Sequence, residues 1–135
     1  MKRKKKKKET MKDKAYEILI VDDEKDLREM LLAALEFFGY KGLTAENGAV
    51  AWKMLNSGVN PDLVITDINM PEMDGRELLR RINDKFPNLP VIVITAYGAV
   101  KTADKLQVAG ADDYIEKPFS LDRLSKSIEK IFNRK

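Results

Sequence analysis

Four short segments carry side chains that could do chemistry together: Val21-Asp22-Asp23-Glu24, Thr66-Asp67-Ile68-Asn69, Thr95-Ala96 and Glu116-Lys117-Pro118. The chain has no Cys and no His. That excludes a disulfide framework, a thiolate zinc site, a Ser-His or Cys-His nucleophile pair and a phosphohistidine. Any chemistry runs on carboxylates, hydroxyls and Lys, with a hard cation where one is needed. If Asp22, Asp23 and Asp67 share a pocket, each pair at ~4 Å costs about 4 kcal/mol at an effective dielectric of 20, which calls for a cation or a raised pKa. Mg²⁺ suits a site that offers only oxygen ligands. A carboxylate beside Mg²⁺, with a Lys amine and a Thr hydroxyl close by, is a set of parts for phosphoryl transfer. The Asp attacks phosphorus, the metal and Lys stabilise the equatorial oxygens, and the hydroxyl donates to one of them. Each group also has a plainer role. Asp23 or Glu24 suits the N-cap of a following helix, Lys117 a solvated loop, and Thr95 an ordinary β-branched strand position.

The hydrophobic period indicates what must position these segments. Apolar runs rich in Ile and Val predict strands over Glu17–Val21 (EILIV), Leu63–Thr66 (LVIT) and Val91–Thr95 (VIVIT), and their near-continuous hydrophobicity suits parallel strands covered on both faces. Tyr40–Ala45 (YKGLTA) and Asp113–Glu116 (DYIE) are more polar and suit the edges of the sheet. Between them the period becomes helical. Leu27, Met30, Leu31, Ala34, Leu35 and Phe38 form one stripe that Gly39 can stop. Leu121, Leu124, Ile128, Ile131 and Phe132 form a closing stripe after Ser120, a suitable N-cap. Leu78, Leu79, Ile82 and Phe86 mark a third helix ended by Pro87, and a shorter one runs near Ala49 to Leu55. The weakest, about Val100 to Ala109 and fourth in chain order, has a stripe of mostly Ala and Val, which would leave it easier to shift.

Five βα units in succession imply an α/β fold, a parallel sheet with helices on both faces, because crossovers are right-handed. Ligands in such sheets bind beyond the carboxyl ends of the strands, where the strand order reverses. The four segments fall at those ends. With strand order 2-1-3-4-5, strands one and three are neighbours and the three aspartates converge.

With 44% hydrophobic and 35% charged residues, the chain suits one soluble domain that buries its own core. Charge divides it. Met1–Lys14 holds nine Lys and Arg against two Asp and Glu, while the other 121 residues hold sixteen against twenty. Residues 1–14 are therefore expected to be a disordered basic tail and 15–135 the domain. The tail lacks interleaved aromatics for stacking on nucleic acid, and a solubilising extension is the favoured reading over a tether. No apolar run approaches the ~20 residues of a membrane span, and ETMKDK follows the lysines where a signal peptide needs an apolar stretch. The expectation is a cytoplasmic protein without a membrane span.

The segments ILIVDDE, LVITDINMPEMDG, VIVITAYG and YIEKPF, in this order and spacing, resemble the receiver domain of two-component response regulators. The likeness extends from about Tyr16 to Phe132 and is closest to the stand-alone, chemotaxis-regulator type. It implies a flavodoxin-like, doubly wound five-stranded parallel sheet of order 2-1-3-4-5 with five helices. It also implies roles for the residues. Asp67 is the phosphoacceptor, and Asp22 and Asp23 hold Mg²⁺ together with Asp67 and the backbone carbonyl of Asn69. Thr95 is the switch hydroxyl, Lys117 the phosphate-binding lysine, and the Lys117-Pro118 bond is commonly cis. Tyr114 is the aromatic that turns inward when Thr95 moves, or an ordinary half-buried strand residue. The side chains of Asn69 and Tyr97 flank the path of the water that removes the phosphoryl group, and Gly75 after Asp74 is structural.

The implied function is a phosphorylation-dependent switch and not a turnover enzyme. A sensor histidine kinase or phosphotransfer protein donates to Asp67, adding close to two negative charges. The change is read by an unidentified downstream protein on the surface of the fourth helix, fifth strand and fifth helix. Since Lys135 follows the closing helix directly, no DNA-binding or other output domain is expected in the chain, which would be a stand-alone receiver or one excised from a larger regulator, and a monomer or a phosphorylation-dependent dimer. Two alternatives differ in class. A haloacid-dehalogenase-type phosphatase needs a second Asp where Asn69 stands, and a surface-binding module would never be phosphorylated. A P-loop nucleotidase is excluded, because there is no GxxxxGK[ST] segment. The bulk of Tyr97 predicts that a Tyr97→Ala variant loses phosphate faster than the parent, checked by a dephosphorylation time course; equal decay overturns it.

Overall fold

A computed structural model describes residues 15–70, 72–96 and 110–134. Five strands, β1 (Glu17–Val21), β2 (Lys41–Ala45), β3 (Leu63–Asp67), β4 (Val91–Thr95) and β5 (Asp113–Glu116), form one parallel sheet in the order β2-β1-β3-β4-β5. Four helices are described: α1 (Lys25–Phe38), α2 (Gly48–Asn56), α3 (Gly75–Lys85) and α4 (Leu121–Phe132). The expected helix about Val100 to Ala109, Tyr97 and the tail Met1–Lys14 lie outside the described residues. The flavodoxin-like order, with the polar strands β2 and β5 at the edges, is the expected one.

The strands' two-residue period divides the core. Ile18, Ile20, Leu63, Ile65, Ile92, Ile94 and Ile115 pack with Leu31 and Leu35 of α1 and Leu124, Ile128 and Ile131 of α4. Leu19, Val21, Val64, Val91 and Val93 pack on the opposite face with Ala51 and Leu55 of α2 and Leu78, Leu79 and Ile82 of α3. The three central strands are thus covered on both sides, which is why they read as unbroken apolar runs.

Element ends differ from the sequence reading for local reasons. Gly39 takes φ 97°, and the Tyr40 N–H closes α1 on Leu35 O at 2.9 Å, so β2 begins at Lys41. Phe86 stands outside α3 at φ −126°, because a residue before proline is driven from the helical region. Met30, a member of the apolar stripe, is 42% exposed. It sits about 100° round the helix from buried Leu31, at the margin of the covered face. Asn47 caps α2 by accepting from Val50 N at 2.9 Å, and Ser120 caps α4 by accepting from Arg123 N at 3.0 Å.

At the sheet's edge, Asp113 joins β5 to α4. Its carboxylate accepts from Ser127 Oγ, from Tyr114 N at 2.8 Å and from Arg123 Nη1 at 3.4 Å, while Arg123 Nη2 donates to Tyr114 O at 2.7 Å. Burial pushes the Asp113 carboxyl up, but the Ser127, Tyr114 and Arg123 hydrogen bonds outweigh it and hold the pKa below the usual 3.8. A depressed carboxylate stabilises the fold above its unfolded pKa and ceases to do so as pH falls through the folded one. An Asp113→Asn variant should therefore be less stable than the parent by about 1 kcal/mol at pH 7. Urea unfolding across pH should show the two converging below about pH 3.8; a gap independent of pH overturns this account.

Candidate functional site

The site lies where β1, β3 and β4 end. Strand pairing sets Val21 beside Ala45 and Thr66, and Asp67 beside Ile94, so Asp22 leaves β1 next to the last residue of β3. Asp67 belongs to the strand, one residue beyond the expected end at Thr66. Carboxylate oxygens of Asp22, Asp23 and Asp67 lie within 4.8 Å of one another. Asp22 is 1% and Asp67 7% exposed, whereas Asp23 is exposed.

The two buried carboxylates are partnered differently. Asp22 Oδ1 accepts from Glu24 N at 2.8 Å, whereas Oδ2 is buried without a hydrogen-bond partner. Burial pushes the Asp22 carboxyl above its ordinary value, against the lowering effect of the Glu24 N–H, and the nearby Asp67 charge pushes it further. Asp67 Oδ1 accepts from Ile68 N at 2.7 Å, and Oδ2 faces Lys117 Nζ at 3.4 Å. An orphaned carboxylate oxygen beside two more carboxylates is a hard, all-oxygen donor set. That set fits Mg²⁺ and gives no preference to softer metals.

Lys117 and Thr95 arrive together. The Lys117 N–H donates to Thr95 O at 2.8 Å, which continues the β4–β5 ladder by one residue and carries the lysine back over Asp67. The Lys117-Pro118 bond is cis, as the resemblance implies. Thr95 is 4% exposed at the end of β4. Tyr114, paired with Val93, is half-buried against the α2–α3 side of the core with its hydroxyl buried. Asn69 is exposed beyond the acceptor strand. Glu24, one of the two residues suited to the N-cap, does occupy the N-cap position of α1, but its side chain makes no cap hydrogen bond.

The backbone after Asp67 is held from α3. Asp74 caps that helix through Arg76 N and Glu77 N at 3.0 and 3.1 Å, and Gly75 N donates to Ile68 O at 2.9 Å. A Cβ on Gly75 would stand 2.2 Å from Asp67 O and 2.8 Å from Ile68 Cα, so glycine is required by the close approach, as the sequence suggested. Three residues were not anticipated. Thr66 Oγ1 donates to Asp67 O at 2.9 Å, Arg28 Nη1 donates to Asp22 O at 2.7 Å, and Glu72 takes φ 69° in the loop before α3. Arg28 has no short-range signal, since it reaches back six residues across a helix start.

A family model described as the response regulator receiver domain matches residues 18–129. The regulatory protein AtoC of Escherichia coli (strain K12) is 42% identical over 113 residues, which cover 84% of this chain and 24% of that protein. The response regulator MprA of Mycolicibacterium vanbaalenii is 38% identical over 117 residues, covering 87% of this chain and 50% of that protein. A response regulator receiver domain protein from Clostridium thermocellum superposes with a TM-score of 0.82 at 32% identity, covering 88% of this chain and 95% of the other. The receiver domain of NtrX from Brucella abortus superposes with a TM-score of 0.82 at 37% identity, covering 87% and 99%. The chain spans half or less of the length of these two curated relatives. This corrects the expectation of a receiver without a DNA-binding or other output domain. That expectation rested on the position of Lys135, whereas the relatives carry half to three quarters of their length outside the matched part. No described helix is long and apolar enough to cross a membrane.

The orphaned Asp22 oxygen leads to a stability prediction. In Mg²⁺-free buffer at neutral pH, Asp22→Asn should be more stable than the parent by about 1 kcal/mol, since the amide retains the bond to Glu24 N and can donate to the neighbouring carboxylates. A carboxyl whose folded pKa is raised ceases to destabilise once protonated, so the gain should shrink as pH falls toward 3.8. Urea unfolding at several pH values checks this, and a destabilised variant at neutral pH contradicts it.

Proposed function

Because the chain belongs to the response regulator receiver family of two-component signalling, we propose that it is a switch thrown by phosphorylation of Asp67. The reading rests on one observation: the buried Asp67 carboxylate stands between the Asp22 and Asp23 carboxylates and the Lys117 amine, with Lys117 Nζ at 3.4 Å. In this reading an oxygen of Asp67 forms a bond to phosphorus as the bond from phosphorus to an imidazole nitrogen of the donor breaks. The donor is a phosphohistidine on a sensor kinase or phosphotransfer protein, and the imidazole leaves with the bonding electron pair. Asp22, Asp23, Asp67 and the Asn69 carbonyl would hold Mg²⁺, which when bound would supply charge stabilisation for the phosphoryl oxygens. Lys117 neutralises one of those oxygens, and the Thr95 hydroxyl donates to another.

The acyl phosphate then biases the far side of β4. Movement of Thr95 toward the phosphoryl group vacates room at the end of β4, and Tyr114 on β5 responds. Arg123, bonded to Tyr114 O and Asp113, transmits that change to the surface of α4. The fourth helix of the expected output face lies outside the described residues. This exchange between donor and receiver is a cytoplasmic process.

Intact mass after incubation with a small acyl phosphate tests the proposal. The parent should gain one hydroxylamine-labile phosphoryl group only when Mg²⁺ is present, and Asp67→Asn should gain none. Labelling that persists in Asp67→Asn, or that ignores Mg²⁺, overturns the assignment.

A further inference from the structure

Resting on the Mg²⁺ site proposed above, we propose that Arg28 is a positioning residue that holds the Asp22–Asp23 peptide so that both carboxylates face the cation. Arg28 is half-buried near the start of α1. Its Nη1 donates to the Asp22 carbonyl at 2.7 Å, and among the described residues it pairs with no carboxylate. The guanidinium therefore acts on the backbone and not on the acidic side chains.

The bond completes a closed set. The Asp22 N–H donates to Ala45 O at 3.2 Å, Asp22 Oδ1 accepts from Glu24 N at 2.8 Å, and the Arg28 N–H donates to Glu24 O at 3.0 Å. The Arg28 side chain then returns to Asp22 O. The carbonyl it holds belongs to the peptide unit that joins two of the three clustered aspartates. Rotation of that unit would turn the Cα of Asp23 relative to Asp22 and separate oxygens now within 4.8 Å of each other. The tie also leaves Asp22 Oδ2 as the uncommitted oxygen, since Oδ1 is taken by the turn. Of the groups that fix this peptide, Arg28 alone contributes a side chain other than that of Asp22, so it can be altered without touching a proposed ligand.

The test is the Mg²⁺ dependence of the unfolding midpoint of the full chain, which yields a Kd because a ligand of the folded state stabilises it in proportion to its occupancy. Arg28→Ala and Arg28→Gln should raise the Kd for Mg²⁺ by about 10-fold, the scale found when an outer partner of a metal ligand is removed. Arg28→Lys, which keeps a charged donor on a long stem, should recover part of the loss. Acyl phosphate labelling of the variants should return to near the parent rate at saturating Mg²⁺. Should the alanine variant fail to fold, Arg28→Gln carries the same measurement. A merely structural role would lower the midpoint without Mg²⁺ and leave the Kd unchanged, which overturns the inference. If the unsubstituted protein shows no Mg²⁺ stabilisation, the proposed Mg²⁺ site fails first and this inference with it.

Discussion

The repulsion among three carboxylates whose oxygens lie within 4.8 Å of one another is the constraint on which the rest of the structure depends. Two of these groups are almost fully buried, where charge is costly. Burial raises the Asp22 pKa and one of its oxygens lacks a hydrogen-bond partner, so this corner of the fold opposes stability. The adjoining core compensates. The Ile, Leu and Val side chains of β1, β3 and β4, sandwiched between two helical layers, are buried to within a few per cent of complete exclusion from solvent.

Around the pocket the side chains are held by backbone. Glu24 N and Ile68 N each engage one carboxylate oxygen, and Gly75 N and Thr66 Oγ1 fix the peptide groups that follow β3. The approach of α3 to Asp67 O leaves no room for a Cβ on Gly75. The carboxylates are thus anchored at strand ends, while Lys117 reaches back across β4 from the end of β5. A site held this way suits a reaction in which charge is added at one fixed carboxylate and read by movement in neighbouring strands.

On the opposite side of β4, the contacts of Asp113, Ser127 and Arg123 join β5 to α4. Tyr114 lies between the two systems, with its backbone carbonyl held by Arg123 and its ring against the α2–α3 core. Its backbone carbonyl is thus tied to α4 while its ring packs on the opposite face of the sheet.

Much of this was legible in the residues themselves. Unbroken Ile and Val runs identified β1, β3 and β4, polar YKGLTA and DYIE identified the edges, and Ser120 and Gly39 marked helix ends, because period and capping are local properties of the chain. The site groups were legible for the same reason: each sits at or just past the carboxyl end of a strand, where a parallel sheet must present it. What could not be read locally was set by packing. Met30 lost its place in the core because the rotation of α1 is decided by contacts with the sheet, and Asp67 joined β3 because Ile94 was there to pair with it. Arg28 and Thr66 act on carbonyls, which carry no sequence signature. The sequence by itself determined which residues could face a cation and a phosphoryl group; only the tertiary structure decided which oxygens remain free to do so, because hydrogen bonds made across elements commit some lone pairs and spare others.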